Sequence, residues 1–325
     1  MPVYSNIINE RWVHMKRAIL LMNMGGPKNL DEVELFLSNM FNDRHIIGAP
    51  KPIRTIISKL ITWKRKEEAK SNYAQIGGKS PILNYTKGFI SALESQVDAS
   101  VHMVMRYTPP FASDVLQKLK HVDEIYAIPM YPHFSSTTTL SSLEDLIQSA
   151  KAQKIKAEIK TLPHYYKHPD YIQTIVERIT EQLEGEDPSE YELVFSAHGL
   201  TQRLIDKGDS YQRHIKYSLY YARKALTKAG IHFHKTHLAY QSRLGPLEWI
   251  RPYLEDKLAS LQKRKVIIYP IAFTMDNSET EFELDIEYRE LAEELGFETY
   301  QVAKAPNNHP SFVKCIHSLY EGMKA

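Results

Sequence analysis

The sequence predicts an α/β protein made of two similar domains, each a four-stranded parallel sheet flanked by helices, with a cleft between them. Eight short apolar segments alternate with amphipathic helical patterns along the 325 residues. This alternation is typical of parallel sheets covered by helices. The two halves also have similar patterns, although no repeat is visible by residue identity. Ligands of such sheets bind at the carboxyl ends of the strands, so we expect the cleft there.

The predicted strands are short, apolar and bounded by turn-forming residues. They are residues 17–23, 101–107, 124–130, 156–163, 191–197, 235–241, 265–273 and 297–302. Apolar residues recur at helical spacing between them, as in residues 33–40 and 172–183. Strands and helices thus follow one another in the order that a parallel sheet requires.

The polar segment 149–158 (SAKAQKIKAE) is the predicted crossover between the halves. We therefore assign residues 17–150 to an N-terminal α/β domain and residues 151–306 to a C-terminal α/β domain. Residues 307–325 contain a helical pattern and are expected to pack back across the domains as a C-terminal helix. Residues 1–16 show no periodicity and are expected to be an irregular leader, with Met15 as an alternative start.

Composition narrows the functional classes. A hydrophobic content of 43% and a charged content of 25% are those of an ordinary globular protein. The net charge of +2 gives no reason to expect a nucleic-acid partner. The single cysteine, Cys315, excludes cysteine-rich zinc sites and four-cysteine iron–sulfur clusters. The apolar run that begins at Ala18 breaks at Asn23, too early for a membrane span, so we expect a cytoplasmic protein.

Residues 46–66 combine isoleucines, Leu60 and Trp63 with lysines and arginines at helical spacing. A basic amphipathic helix of this kind suits peripheral contact with the inner face of a membrane, or the mouth of an apolar cleft. Ordinary packing of the helix against the protein is the plainer alternative. The pattern alone leaves both interpretations open.

Residues 275–288 carry an unusual number of acids. At helical spacing the acids form one stripe beside an apolar stripe: Glu279, Glu283, Glu287, Glu290 and Glu294. Residues 281–288 also alternate as a half-buried strand would, but the stripe continues past residue 288 and favours a helix. Ser278 and Glu281 have capping-box spacing, and Asn277 also suits a cap. Such carboxylates suit a divalent cation, whereas a solvated acidic face is the plainer alternative.

Other chemically useful side chains fall where predicted strands end: Met24, Arg106, Tyr107, Tyr131, His198, Tyr240 and Trp249. Arg106 is placed to bind a carboxylate, although a structural salt bridge explains it equally well. His198 follows a buried strand, and a structural histidine is the ordinary alternative. Together these residues indicate an aromatic pocket with a cation, an imidazole and a row of acids at one edge of the sheets.

Six motifs resemble blocks of the ferrochelatase family, in the family's order: MNMGGP (22–27), IGGKSP (76–81), FSAHGL (195–200), GDSYQ (208–212), YQSRLGP (240–246) and PIAFTMDNSETEFELDIEY (270–288). The resemblance covers the chain from about Ala18 onward. It implies two Rossmann-like (chelatase-type) domains with a porphyrin cleft between them. It also implies insertion of Fe2+ into protoporphyrin IX with release of two protons, which forms protohaem in the last step of haem biosynthesis.

The resemblance also implies roles for particular residues. His198 matches the catalytic histidine that faces the porphyrin nitrogens, and Glu279 matches the catalytic glutamate opposite it. Glu283 and Glu287 match acids further along an unusually wound helix with π-type turns, so the implied metal-binding set is His198, Glu279, Glu283 and Glu287. With the strand-end residues, the predicted porphyrin-binding set is Met24, Arg65, Tyr73, Ser80, Arg106, Tyr107, Tyr131, Tyr240 and Trp249.

The implied reaction requires no resident cofactor, because Fe2+ is a substrate, and the iron–sulfur cluster of animal members cannot form with one cysteine. Protoporphyrin IX is the other expected partner, and a monomer is expected. Met24 matches the protoporphyrin-type enzymes. Asn277 is a departure from the family pattern, because many relatives have a histidine there, and this argues against a metal relay through that side chain. The alternatives are a chelatase for cobalt, nickel or coproporphyrin, and a non-catalytic haem- or porphyrin-binding protein.

Overall fold

The structure is a computed structural model that describes residues 15–324. It contains the eight predicted strands, all parallel within their sheets: β1 Arg17–Asn23, β2 Ser100–Met105, β3 Glu124–Pro129, β4 Glu158–Thr161, β5 Glu192–His198, β6 Lys235–Gln241, β7 Lys265–Pro270 and β8 Thr299–Val302. One sheet has the order β2-β1-β3-β4 and the other β6-β5-β7-β8. The predicted fold class is confirmed. Most of the predicted leader, residues 1–16, lies outside the described residues.

Helices connect the strands on both faces. The α-helices are α1 Val33–Phe41, α2 Lys51–Gln75, α3 Ile82–Glu94, α4 Ala112–Lys118, α5 Ser141–Gln153, α6 Pro169–Leu183, α7 Gln202–Asp206, α8 Tyr211–Lys228, α9 Leu254–Ala259, α10 Tyr288–Glu294 and α11 Pro310–Lys324. Two π-helices span Ser136–Leu140 and Glu279–Glu287, and short 3-10 turns span Leu30–Glu32 and Pro188–Glu190. Because a π-helix is wider than an α-helix, the side chains after its first residues point in other directions than they would in an α-helix.

The boundary predicted at residue 150 is too early for the sheets. β4 pairs with β3 in the first sheet, with Ile159 opposite Ile125. The polar segment that suggested a crossover is the end of α5, where Lys154 adopts a left-handed conformation (φ 54°) and turns the chain back to its own sheet. β4 is a partly exposed edge strand, so its apolar pattern is weak.

The two sheets share one core. Alternate side chains of each strand point to opposite faces, so Ile19 and Tyr126 of the first sheet join a cluster with Phe195 and Tyr269 of the second. Tyr171 of α6 is fully buried in the same cluster. The opposite face of each sheet packs separately against its own helices. Because close-packed interiors resist deformation, the strand ends of both halves are held in a set relation.

The last helix returns to the first half of the chain. Phe312 of α11 packs on Phe89 of α3 with ring centroids 5.3 Å apart, and Tyr320 meets Tyr126 edge-on at 4.9 Å. The buried Tyr320 donates a hydrogen bond of 2.6 Å to Asp98, and this bond is the main reason that the pKa of Asp98 falls to about 2. α11 therefore links the end of the chain to the edge of the first sheet.

Replacing Tyr320 by Phe removes this hydrogen bond and leaves the ring packing intact. Losing a hydrogen bond to a charged group costs about 1–2 kcal/mol, so urea unfolding should show a lower free energy of unfolding by that amount. The matched control is Tyr220→Phe, because Tyr220 is 56% exposed. Equal stabilities for the two variants would contradict the proposed link.

Candidate active site

The site is built where the strands of the second sheet end. His198 is the last residue of β5 and lies opposite Gln241, the last residue of β6. The next residue in each segment has an unusual backbone requirement. A Cβ at Gly199 would lie 2.8 Å from the carbonyl oxygen of Gln241, so only glycine fits there. Ser242 has a left-handed backbone (φ 65°), a strained conformation that is often found at functional sites.

The acidic stretch after β7 is helical, so the prediction of a helix is confirmed and the strand alternative is wrong. Glu279–Glu287 forms a π-helix that continues into α10. The predicted capping box is absent, because Ser278 already has helical backbone angles and caps nothing with its side chain. Asn277 takes that role, since its side-chain oxygen accepts a bond of 2.8 Å from the backbone of Glu279.

His198 and Glu279 lie together, with 2.7 Å between Nδ1 and the Oε2 oxygen. A neutral imidazole that donates from Nδ1 to a carboxylate keeps the lone pair of Nε2 for accepting a proton. Burial lowers the pKa of His198, but the charge of Glu279, its hydrogen bond and the charge of Glu283 outweigh burial and raise the pKa above its ordinary 6.5. The pair therefore favours proton uptake by the imidazole near neutral pH.

Glu283 is tied to the same pair through Ser242. The Ser242 hydroxyl lies 2.5 Å from Oε2 of Glu283 and 3.2 Å from Oε2 of Glu279. Burial, followed by the charge of Glu279, raises the pKa of Glu283 from 4.5 to about 7. A hydroxyl has one proton, so Ser242 donates to one carboxylate at a time. When Glu283 is protonated it can donate to Ser242, which makes a continuous path toward Glu279.

Sequence reasoning missed three polar residues that orient this network. Ser196 donates a bond of 2.6 Å to the side-chain oxygen of Gln241, which turns the Gln241 amide nitrogen toward Glu283 at 3.1 Å. Ser242 completes the network. The available signal was their position, because each is a polar residue in or just after the last positions of a buried strand.

Two of the predicted metal-binding acids, Glu279 and Glu283, lie within hydrogen-bond distance of the same Ser242 hydroxyl, and the third, Glu287, lies further along the helix. Glu287 is exposed further along the helix, and burial, Glu68 and Glu290 raise its pKa. Within residues 15–324, no group of three or more histidine, cysteine or acidic side chains is arranged to hold a metal ion.

Several predicted porphyrin-binding residues lie at the ends of the first half's elements. Met24 follows β1 and is partly exposed. Tyr73 ends α2, and its hydroxyl lies 3.2 Å from the Ser278 hydroxyl, beside Glu279. Ser80 is buried 2.5 Å from the position that a Cβ on Gly26 would occupy.

Two further predicted residues flank this region. Arg65 is partly exposed on α2 and pairs weakly with Glu68 at 3.8 Å. Trp249 is partly exposed, and its indole donates a bond of 3.0 Å to the backbone of Leu244. Its ring lies 3.3 Å from the position of a Cβ on Gly199, so it borders the segment that carries His198.

The remaining predicted porphyrin-binding residues are Arg106 and three tyrosines. Arg106 pairs with the buried Asp43 at 3.1 Å and with Asp145 at 3.6 Å, as the salt-bridge alternative expected. Tyr107 is 2% exposed and donates to Asp43. Tyr131 and Tyr240 are 9% and 2% exposed. The three tyrosines are thus buried, as Tyr73 and Ser80 are, whereas Arg106 keeps 24% of its side chain exposed.

Comparison with known proteins gives a consistent result. Residues 16–323 match the model of the ferrochelatase family. The ferrochelatase of Sulfurimonas denitrificans is 46% identical over 314 residues, which cover 95% of this chain and 99% of that protein. The ferrochelatase of Nitratiruptor sp. is 46% identical over 311 residues, which cover 94% and 100%.

Solved structures support the architecture. SirB from Bacillus subtilis with Fe3+ has a TM-score of 0.57 and 10% identity, and 96% of each chain is covered. The sirohydrochlorin chelatase SirB in complex with cobalt has a TM-score of 0.56 and 9% identity, with 95% of this chain and 96% of that chain covered. At such identities the likeness concerns the fold alone.

Two parallel sheets, with an imidazole and acids at the strand ends of the second, are compatible with a metal chelatase, an enzyme of the lyase class. The family match over nearly the whole chain narrows this class. The chain belongs to the ferrochelatase family, whose reaction is insertion of iron into protoporphyrin in haem synthesis. The resemblance identified from the six motifs is confirmed.

The raised pKa of Glu283 predicts a particular pH dependence of stability. The pKa of Glu283 is about 7 in the folded protein and 4.5 ordinarily. Its protonated carboxyl therefore contributes fully to the free energy of unfolding below pH 4.5, and this contribution is lost as the pH rises through 7. Relative to Glu283→Gln, the wild-type protein should lose on the order of 2 kcal/mol of unfolding free energy between pH 5 and 8.

Urea unfolding at several pH values measures this difference. The exposed Glu298 provides the control variant Glu298→Gln, which should follow the wild-type profile. Parallel profiles for wild type and Glu283→Gln would contradict the raised pKa.

Proposed function

We propose that this chain inserts Fe2+ into protoporphyrin IX, with His198 and Glu279 at the reacting centre. The observation that carries the proposal is the 2.7 Å contact between these two side chains, together with the Ser242 link to Glu283. Metal insertion has to remove two pyrrole protons and deliver a dication. A base and a row of carboxylates at one place meet both needs.

His198 accepts a pyrrole proton. Its Nε2 is available when Nδ1 donates to Glu279, and the imidazolium that forms is stabilised by the adjacent carboxylate. The raised pKa of His198 makes it a stronger base than a free histidine. Glu279 either takes the second proton or transfers the metal, and its contact with both His198 and Ser242 is compatible with each role.

Glu287 and Glu283 deliver the cation. Stripping water from Fe2+ is costly, and carboxylates that replace the water stepwise reduce that cost. Glu287 is exposed and can meet a hydrated ion, whereas Glu283 is tied to the reacting pair. With a pKa of about 7, Glu283 loses its proton readily when a cation approaches at neutral pH.

The porphyrin lies against Met24, Arg65, Tyr73, Ser80 and Trp249 in this proposal. Met24 and Trp249 are partly exposed at strand-end segments of the two halves, where a planar ligand would meet both. Binding energy from these walls can hold the macrocycle bent, which exposes the lone pairs of its nitrogens.

The main alternative is a chelatase that inserts another metal, cobalt or nickel, or that acts on another tetrapyrrole, coproporphyrin. A matrix of metals against tetrapyrroles separates these substrates, and Fe2+ with protoporphyrin IX is expected to be the preferred pair. A non-catalytic haem- or porphyrin-binding protein would bind the macrocycle without turnover. We also infer that the enzyme acts as a monomer in the cytoplasm and needs no resident cofactor.

Replacing His198 by Ala should lower the rate of Fe2+ insertion by at least about 100-fold, because the proton acceptor is lost. Protoporphyrin binding should change little. Anaerobic mixing of Fe2+ and protoporphyrin IX, followed by the metalloporphyrin spectrum, measures the rate, and Glu279→Gln should also be slow.

His232→Ala is the matched control, since His232 is exposed outside the site. Near-normal turnover by His198→Ala would overturn the proposed role. Porphyrin binding without turnover in the wild-type enzyme would favour the non-catalytic alternative.

Peripheral contact with a membrane through residues 46–66 is the second part of the proposal. α2 is inverted relative to an ordinary surface helix: Ser58 and Thr62 are buried at 2% and 3% exposure, whereas Ile56, Leu60 and Trp63 are 69%, 62% and 71% exposed. The expectation of ordinary helix packing is therefore wrong for these apolar side chains. No helix of residues 15–324 is long and apolar enough to cross a membrane. Exposed apolar residues beside lysines suit the surface of an anionic bilayer.

The double variant Ile56→Ser, Leu60→Ser should bind phosphatidylglycerol vesicles at least about tenfold more weakly than the wild-type enzyme, because two apolar anchors are lost. Vesicle flotation measures the bound fraction. Tyr220→Ser, at an exposed tyrosine of α8, is the control and should bind as the wild type does. Equal flotation of all three proteins would exclude membrane contact through α2.

A further inference from the structure

The loop that follows β3 in the first half is fastened to α8 in the second half. The backbone nitrogen of Phe134 donates a bond of 3.2 Å to Nδ1 of His214. Nε2 of the buried His133 lies 2.8 Å from the Ser218 hydroxyl. This loop leads into the π-helix Ser136–Leu140. These contacts thus join the loop after β3 of the first sheet to α8, the second helix after His198.

Asp209 receives most of the hydrogen bonds at this junction. Its Oδ2 oxygen accepts bonds from the Ser135 hydroxyl at 3.1 Å, the Ser136 backbone nitrogen at 2.7 Å and the Ser136 hydroxyl at 2.9 Å. Gly208 (φ 96°) precedes it and provides the turn that brings the carboxylate to the loop. Three donors on one charged oxygen make a strong and directional contact.

The other oxygen of Asp209 connects the junction to His198. Oδ1 accepts a bond of 3.0 Å from the backbone nitrogen of Tyr211. The buried Tyr211 donates its hydroxyl to the carbonyl oxygen of His198 at 2.9 Å. The connection therefore runs from the loop of the first half, through Asp209 and Tyr211, to the backbone of the residue that faces Glu279.

We propose that Asp209 is a positioning residue for metal insertion, which holds the loop after β3 against α8 and thereby keeps His198 aligned with Glu279. The inference rests on the proposed role of His198. Asp209 binds the loop and the start of α8, so it acts through Tyr211. GDSYQ (208–212), which the ferrochelatase resemblance left without a role, thus has one in this structure.

Loosening this connection should affect the reaction more than the binding of the macrocycle. Displacing a reacting group by about 1 Å can cost about 100-fold in rate. A fall in kcat per folded enzyme with an unchanged KM distinguishes positioning from simple loss of stability.

The test compares Asp209→Ala and Tyr211→Phe with the wild-type enzyme in anaerobic Fe2+ insertion. We expect kcat to fall about 10- to 100-fold, with the KM for protoporphyrin IX within about twofold of wild type. Asp209→Asn keeps an acceptor oxygen and should recover part of the rate.

The control is Asp206→Ala. Asp206 is exposed on the neighbouring α7, and its side chain accepts a hydrogen bond from Gln202 of the same helix. Protoporphyrin binding stoichiometry gives the folded fraction of each variant. If Asp209→Ala folds poorly, Ser136→Ala and Tyr211→Phe remain as tests of the same connection, with the same expected changes.

A kcat per folded enzyme for Asp209→Ala and Tyr211→Phe that equals the wild-type value would overturn the inference. The outcome for His198→Ala is read separately. Activity in His198→Ala would refute the proposed role of the histidine itself, whereas inactive His198→Ala beside fully active Asp209→Ala would refute the positioning role alone.

Discussion

The contact between His198 and Glu279 is the interaction on which the rest of the site depends. It joins residues 81 positions apart, one at the end of a buried strand and the other at the start of a π-helix. Burial disfavours the charged imidazole, and the carboxylate compensates. The same carboxylate helps raise the pKa of Glu283 to about 7. The pKa of a base, His198, and that of an acid, Glu283, are thus both raised, which suits proton and cation exchange.

The start of the acidic helix is held firmly enough to keep that contact short. Asn277 caps the helix, and Asp276 beside it is buried and accepts a bond of 2.6 Å from the side chain of Asn307. Asn277 thus contributes to helix geometry through an amide that does not titrate.

The molecule combines a rigid base with an exposed apolar helix. The shared core links both sheets, so the strand ends cannot shift independently without disturbing packed side chains. α2 lies outside this core along much of its length and exposes Ile53, Ile56, Leu60 and Trp63. Tyr73, at the end of the same helix, reaches Ser278 beside the pair of His198 and Glu279. One end of α2 therefore contacts the site, whereas the described residues leave its apolar side chains Ile53, Ile56, Leu60 and Trp63 exposed.

The sequence by itself determined the local elements: eight strands, the helical form of the acidic stretch and the position of His198 at a strand end. These follow from apolar spacing, which reports the period of the backbone. Only the tertiary structure decided that β4 belongs to the first sheet, that Arg106 is committed to Asp43, and that Ser242 joins two carboxylates. Such pairings depend on how distant segments approach each other, and local spacing contains no information about that distance.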